Sequence, residues 1–96
     1  MRFQWDDAKD LLNREKHGIS FEEARRLFES GVDYLEIFDS EHSDFEDRFI
    51  AIGPIEQGLV VIVYTEREED IIRIIGARWA NTREQSLYRS YMDQNR

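Results

Sequence analysis

The run Leu-Val-Val-Ile-Val-Tyr-Thr at residues 59–65 constrains this chain more than any other feature. A continuous apolar run of that length suits a central strand covered on both faces better than an edge strand with one wet side. Three further segments supply its neighbours. Residues 34–38 and 48–52 are short and alternating, and residues 71–77 are β-branched with one arginine among them. The breaks between strands carry turn chemistry: residues 39–43, Gly53-Pro54 with Gly58, and residues 68–70. Connections this short predict a four-stranded antiparallel meander.

Helices flank the strands. Asp6 and Asp7 suit a helix N-terminus, and Gly18 suits the residue just past its end, which predicts a helix over 6–16 with Ala8, Leu11 and Leu12 as its apolar stripe. Ser20 to Glu23 has capping-box spacing, and Ile19 and Ala24 are spaced as a hydrophobic staple. The second helix should bury Phe21, Ala24, Leu27 and Phe28 and stop at Gly31. A third helix should start at Asn81 or Thr82, where capping-box spacing recurs, with Leu87, Tyr88, Tyr91 and Met92 as its apolar face and a fraying tail from Asp93. Ninety-six residues then read as one α+β domain, residues 1–96, with a modest core.

Charge is unevenly spread. Residues 1–30 carry six basic and seven acidic groups, residues 31–60 one basic (Arg48) and eight acidic, and residues 61–96 six of each, so the net -8 sits almost wholly in the middle third. Such a field does not draw the chain to nucleic acid as a whole, although a local arginine cluster still grips phosphate. An acidic face also suits a basic partner. The chain has no cysteine and only two histidines, His17 and His42, so neither a disulfide framework nor a metal centre is expected. The opening residues carry no apolar signal core and no run is long enough to span a membrane, which makes the cytoplasm the expected location and a membrane partner unexpected.

Several residues stand out at this level. Arg73 sits in an apolar strand opposite Ile72 and Ile74, so it should project from the non-core face of the sheet, where it needs a ligand or a partner such as Glu36. Arg78 ends the same strand and has Glu84 as its alternative partner. Arg48 has Asp47 or Glu46, and Arg67 lies in a turn where solvent suffices. Lys16 and His17 close the first helix, where its dipole favours cations with or without chemistry. His42 reads as a loop histidine, Tyr64 as core, Trp5 as a helix-entry anchor and Glu84 as a cap.

The order of motifs resembles one family. Phe3-x-Trp5-Asp6, Lys9, Asn13, Lys16-His17-Gly18, Phe21-x-Glu23-Ala24 and Phe28 are similar to the N-terminal signature of BrnT toxins. His42-Ser43, Asp47-Arg48-Phe49 and Gly53 resemble the middle block. Tyr64-Thr65-x-Arg67, Arg73-Ile74-Ile75-x-Ala77-Arg78 and Arg83-Glu84 with Tyr88 resemble the last. Asp47 stands where the family usually has Glu, and Gly76 where Ser is usual.

The resemblance implies a RelE-like fold and a type II toxin that cuts messenger RNA, free or on the ribosome, and so inhibits translation. It also implies a BrnA-like antitoxin with a ribbon-helix-helix DNA-binding part, through which alone the toxin would meet operator DNA. Metal-independent cleavage uses the substrate 2′-hydroxyl as nucleophile, fixed cations at the phosphate and a group titrating near neutrality. On that reading Arg73, Arg78, Arg48 and His17 are the catalytic candidates, and Lys16, Arg67 and Tyr88 bind substrate. The alternative is a non-catalytic module with the toxin fold, serving as antitoxin partner and co-repressor; the acidic middle and the missing serine favour it.

Overall fold

The computed structural model describes residues 1–68 and 70–95. Its elements run β1 (Arg2–Gln4), α1 (Asp7–His17), α2 (Phe21–Glu29), β2 (Leu35–Phe38), a 3-10 turn (Ser40–His42), β3 (Arg48–Ile55), β4 (Gly58–Arg67), β5 (Ile71–Trp79) and α3 (Thr82–Gln94). Among the described helices none is long and apolar enough to cross a membrane.

The antiparallel meander β2–β3–β4–β5 forms as expected, and β4 is its central strand, with Val60, Val61, Ile62 and Tyr64 all buried. The sheet, however, has five strands and is mixed. β1 adds at the outer side of β5 in parallel, with Arg2, Phe3 and Gln4 beside Ile71, Ile72 and Arg73. Three residues are too few to show strand periodicity, and a parallel neighbour leaves no turn signal, so the expectation of four strands fell one short.

Gly53 and Pro54 lie inside β3 rather than in a turn. β2 reaches only as far as Ile52, so beyond it β3 is an edge and the missing Pro54 N–H costs no ladder bond. The hairpin closes at Glu56-Gln57, between paired Ile55 and Gly58. A Cβ on Gly53 would lie 2.6 Å from Leu27 Cδ1 and 2.8 Å from Tyr34 Cβ, which explains why glycine stands there. The turn read at residues 68–70 has Glu68 and Asp70 at positive φ; Glu69 lies outside the described residues.

All three helices start as their caps foretell. The Asp6 carboxylate accepts from the Ala8 and Lys9 amides, and Gly18 is left-handed at φ 70°. Ser20 and Glu23 exchange capping-box bonds, as do Asn81 and Glu84. α2 buries Phe21, Ala24 and Leu27 against the sheet, joined by Ile19, Ile62, Tyr64, Ile72 and Ile74. Trp5 packs edge-on against Phe21, anchoring the entry to α1. The expected apolar stripe of α1 does not form: Leu11 and Leu12 are 52% and 64% exposed. A hydrogen-bonding asparagine faces the sheet instead. The Asn13 amide donates to the Ile19 and Ala77 carbonyls and its oxygen accepts from the Ala77 N–H, closing the edge of β5 beyond the end of β1. α3 is half-buried along Tyr88, Tyr91 and Met92, leaves Leu87 exposed, and continues through Asp93 and Gln94 where fraying was expected; Arg96 lies outside the described residues.

Candidate functional site

Strand register sorts the side chains into two faces. Phe49, Tyr64 and Ile74 share a row, as do Ala51, Ile62 and Ala77, and these meet α1 and α2. Alternate positions lie on the opposite face, which α3 contacts through β3. There, Ile52 and Val61 are buried, and at one end the packing gives way to a polar row. Arg48 pairs in register with Thr65, and Thr65 with Arg73, which in turn pairs with Gln4. Two arginines therefore stand either side of one threonine, on adjacent strands spaced about 4.8 Å apart.

The row is under-satisfied. Thr65 is 1% exposed, and its hydroxyl has no hydrogen-bond partner among the described residues. The Arg48 Nε is buried and equally without a partner. Neither the Arg48 nor the Arg73 guanidinium forms an ion pair with another described residue. Leaving a buried polar group unpaired costs about 1–3 kcal/mol, and more for a charged one, so such atoms mark either strain or a place for a ligand. Glu36 is not the partner of Arg73. It shares the core face with Ala51 and accepts a short hydrogen bond from the Tyr64 hydroxyl. Burial and that contact push the Tyr64 phenol well above its usual range.

Beside Arg48 the segment between β2 and β3 forms an open cavity of about 330 Å³, lined by Glu41, His42, Asp44, Phe45, Glu46 and Arg48. His42 Nδ1 lies 2.9 Å from the Asp39 carboxylate, which fixes the ring. A carboxylate-held imidazole next to an arginine is the arrangement that acid–base chemistry at a phosphate asks for. The sequence showed both residues, but only the fold of the loop brings His42 to Arg48.

The remaining candidates are placed otherwise. Arg78 forms two bonds to Glu84, at 2.7 and 2.6 Å. Those bonds raise the Arg78 guanidinium further and hold the Glu84 carboxyl below its usual range. Arg67 pairs with Glu46 at 3.1 Å in an exposed bridge. The Tyr88 hydroxyl donates to the Asp33 carbonyl, and burial, followed by the Asp33 charge, raises it. Lys16 and His17 line a separate cleft of about 220 Å³ with Lys9, Leu12, Asn13 and Ile75, in which no arginine takes part. Arg48, Arg73 and His42 thus lie toward one end of the sheet, with Arg67, which ends β4 rather than lying in a turn, bridged to Glu46 of the same cavity. Lys16 and His17 lie along α1, and Arg78 and Tyr88 are engaged by Glu84 and Asp33.

A family model described as a ribonuclease toxin, BrnT, of type II toxin–antitoxin systems matches residues 5–84. Among solved structures the chain is similar to the Brucella abortus ribonuclease toxin BrnT, determined by crystallography at 1.1 Å, with a TM-score of 0.64 and 22% identity over 85% of this chain and 99% of that one. That likeness bears on the fold, including its mixed sheet. No curated protein matches.

Proposed function

The chain belongs to the BrnT family of ribonuclease toxins of type II toxin–antitoxin systems, and from that membership we propose that it cuts messenger RNA by a metal-independent route centred on Arg48, Arg73 and His42. The observation that carries this reading is the pair of guanidinium groups flanking Thr65, neither of them neutralised by another described residue. The substrate 2′-oxygen attacks phosphorus while His42 takes its proton. The bond from phosphorus to the 5′-oxygen breaks, and that oxygen takes a proton from water as it leaves. The two arginines hold the equatorial oxygens as charge builds on them. Products carry a 2′,3′-cyclic phosphate and a 5′-hydroxyl. Lys16 and His17 meet a flanking stretch of RNA, and Arg67 and Arg78 contribute once their carboxylates are exchanged for phosphate.

The antitoxin in this reading is BrnA-like, with a ribbon-helix-helix part that alone contacts operator DNA. Its complement is the acidic segment between β2 and β3, where Phe45 is 103% exposed among carboxylates, together with Phe38 at the end of β2, 50% exposed. A second reading keeps the fold as a non-catalytic co-repressor. It is favoured by Arg67 and Arg78 being already neutralised by Glu46 and Glu84.

Inducible expression in bacteria separates the two. Wild type is expected to arrest growth, with relief on co-expression of the neighbouring gene and new RNA ends bearing 5′-hydroxyls. Arg73→Ala and His42→Gln are expected to lose arrest while keeping the wild-type circular dichroism, and His17→Gln, at a flanking contact, to weaken arrest without abolishing it. Arrest by Arg73→Ala at wild-type strength would remove the arginine pair from the mechanism, and intact RNA with wild type would select the co-repressor.

A further inference from the structure

The Thr65 hydroxyl is a polar group with no stated purpose in the fold. It lies in the central strand, 1% exposed, at the midpoint of the row Arg48–Thr65–Arg73, and nothing among the described residues accepts from or donates to it. Valine has the same shape and would fill this position without stranding an oxygen. A β-branched residue is what the strand needs; a hydroxyl is not. The Arg48 Nε beside it is also buried and unpartnered. Two polar atoms, one neutral and one cationic, are therefore buried without partners among the described residues at neighbouring register positions of the sheet.

We infer that Thr65, Arg48 and Arg73 form one phosphodiester-binding site, with the Thr65 hydroxyl as the floor donor and the guanidinium groups as its two walls. This rests on the ribonuclease reading and adds to it the residue that fixes where the phosphate sits. The cations supply attraction, but long arginine side chains leave the anion free to shift. A hydroxyl on the central strand of the sheet gives one non-bridging oxygen a fixed address. Thr65 is a positioning residue in this scheme, since it donates to an oxygen that does not change its bonding. One phosphate oxygen would satisfy it, and the others would take up the arginine N–H groups, Arg48 Nε among them.

The test uses the purified full chain and a short, uniformly 2′-O-methylated RNA, which binds but cannot be cut. Thr65→Val is expected to fold at least as stably as wild type, because it replaces a stranded hydroxyl, and to bind this RNA about tenfold more weakly, the worth of one hydrogen bond to a charged group. Thr65→Ser is expected to bind within about twofold of wild type. Wild-type affinity in Thr65→Val alongside a large loss in Arg73→Ala would overturn the role of Thr65 and leave the arginine pair standing. Equal losses in the Val and Ser variants would assign the effect to packing and also overturn it. Unchanged binding in Thr65→Val and Arg73→Ala together would remove the site and, with it, the arginine-centred mechanism.

Discussion

Arg73 and Arg78 share a strand and a face, yet physics separates them. Arg78 is closed by a bidentate carboxylate, whereas Arg73 meets none among the described residues. Their difference was half legible in the sequence. Glu84 was visible as a partner for Arg78, because capping spacing places it one turn into α3, just beyond the strand end. The isolation of Arg73 depended on Glu36 facing the core, which only lateral register decides. Thr65 was not legible at all, since a threonine in a β-rich run is ordinary until its neighbours across the sheet are known. The Arg78–Glu84 pair has its own pH signature. The Glu84 carboxyl is held low by its bonds to Arg78, so the stability it contributes is present above the ordinary glutamate value, about 4.3, and lost as pH falls through its lowered folded value. Urea unfolding of wild type should therefore exceed that of Glu84→Gln by about 1 kcal/mol near pH 7, discounted for the half-open arginine. The gap should close in acid. A gap of constant size down to about pH 3 would mean that the carboxylate charge is not what holds Arg78.

At the level of elements, the helices were readable because their signals are local: a capping residue, a carboxylate three positions on, a glycine at the end. The central strand was readable from its unbroken apolarity. Two things were hidden. β1 is brief and parallel, so its pairing with β5 depends on residues about seventy positions away. The seating of α1 was misread because its contact with the sheet is polar. Leucine spacing suggested a buried stripe, while Asn13 does the joining, with three hydrogen bonds that end both the α1–α2 connection and the exposed edge of β5. That gives asparagine an unusual share of the fold's cohesion. Asn13→Ala strands the Ala77 amide and carbonyl and the Ile19 carbonyl at once, and is expected to lower unfolding stability by roughly 2 kcal/mol, with faster amide exchange at Ala77. Loss of less than about 0.5 kcal/mol, the level of an ordinary surface change, would show that solvent replaces the clamp and that α1 is held by something else.

On the scale of the whole molecule, the two ligands proposed here meet opposite fields. The net charge is -8, and the middle third holds one basic against eight acidic residues. Much of that acidity lines the loop that walls the arginine row, with Glu41, Asp44 and Glu46 around Arg48. RNA must approach against this field and is captured only at short range by the guanidinium groups, whereas a basic antitoxin segment is drawn in from afar. Salt tells the two apart. Raising ionic strength from about 0.01 M to about 0.15 M shortens the screening length from about 30 Å to about 8 Å. That removes long-range repulsion while leaving contacts at a few ångströms comparatively intact. The association rate of the uncleavable RNA should therefore rise over this range, by a few-fold, and the association rate of the antitoxin should fall. Stopped-flow measurement of both rates on the same toxin preparation checks the pair of signs. If RNA association slows with salt as steeply as antitoxin association does, the acidic loop does not face the incoming RNA, and the arginine row is approached from another side of the sheet.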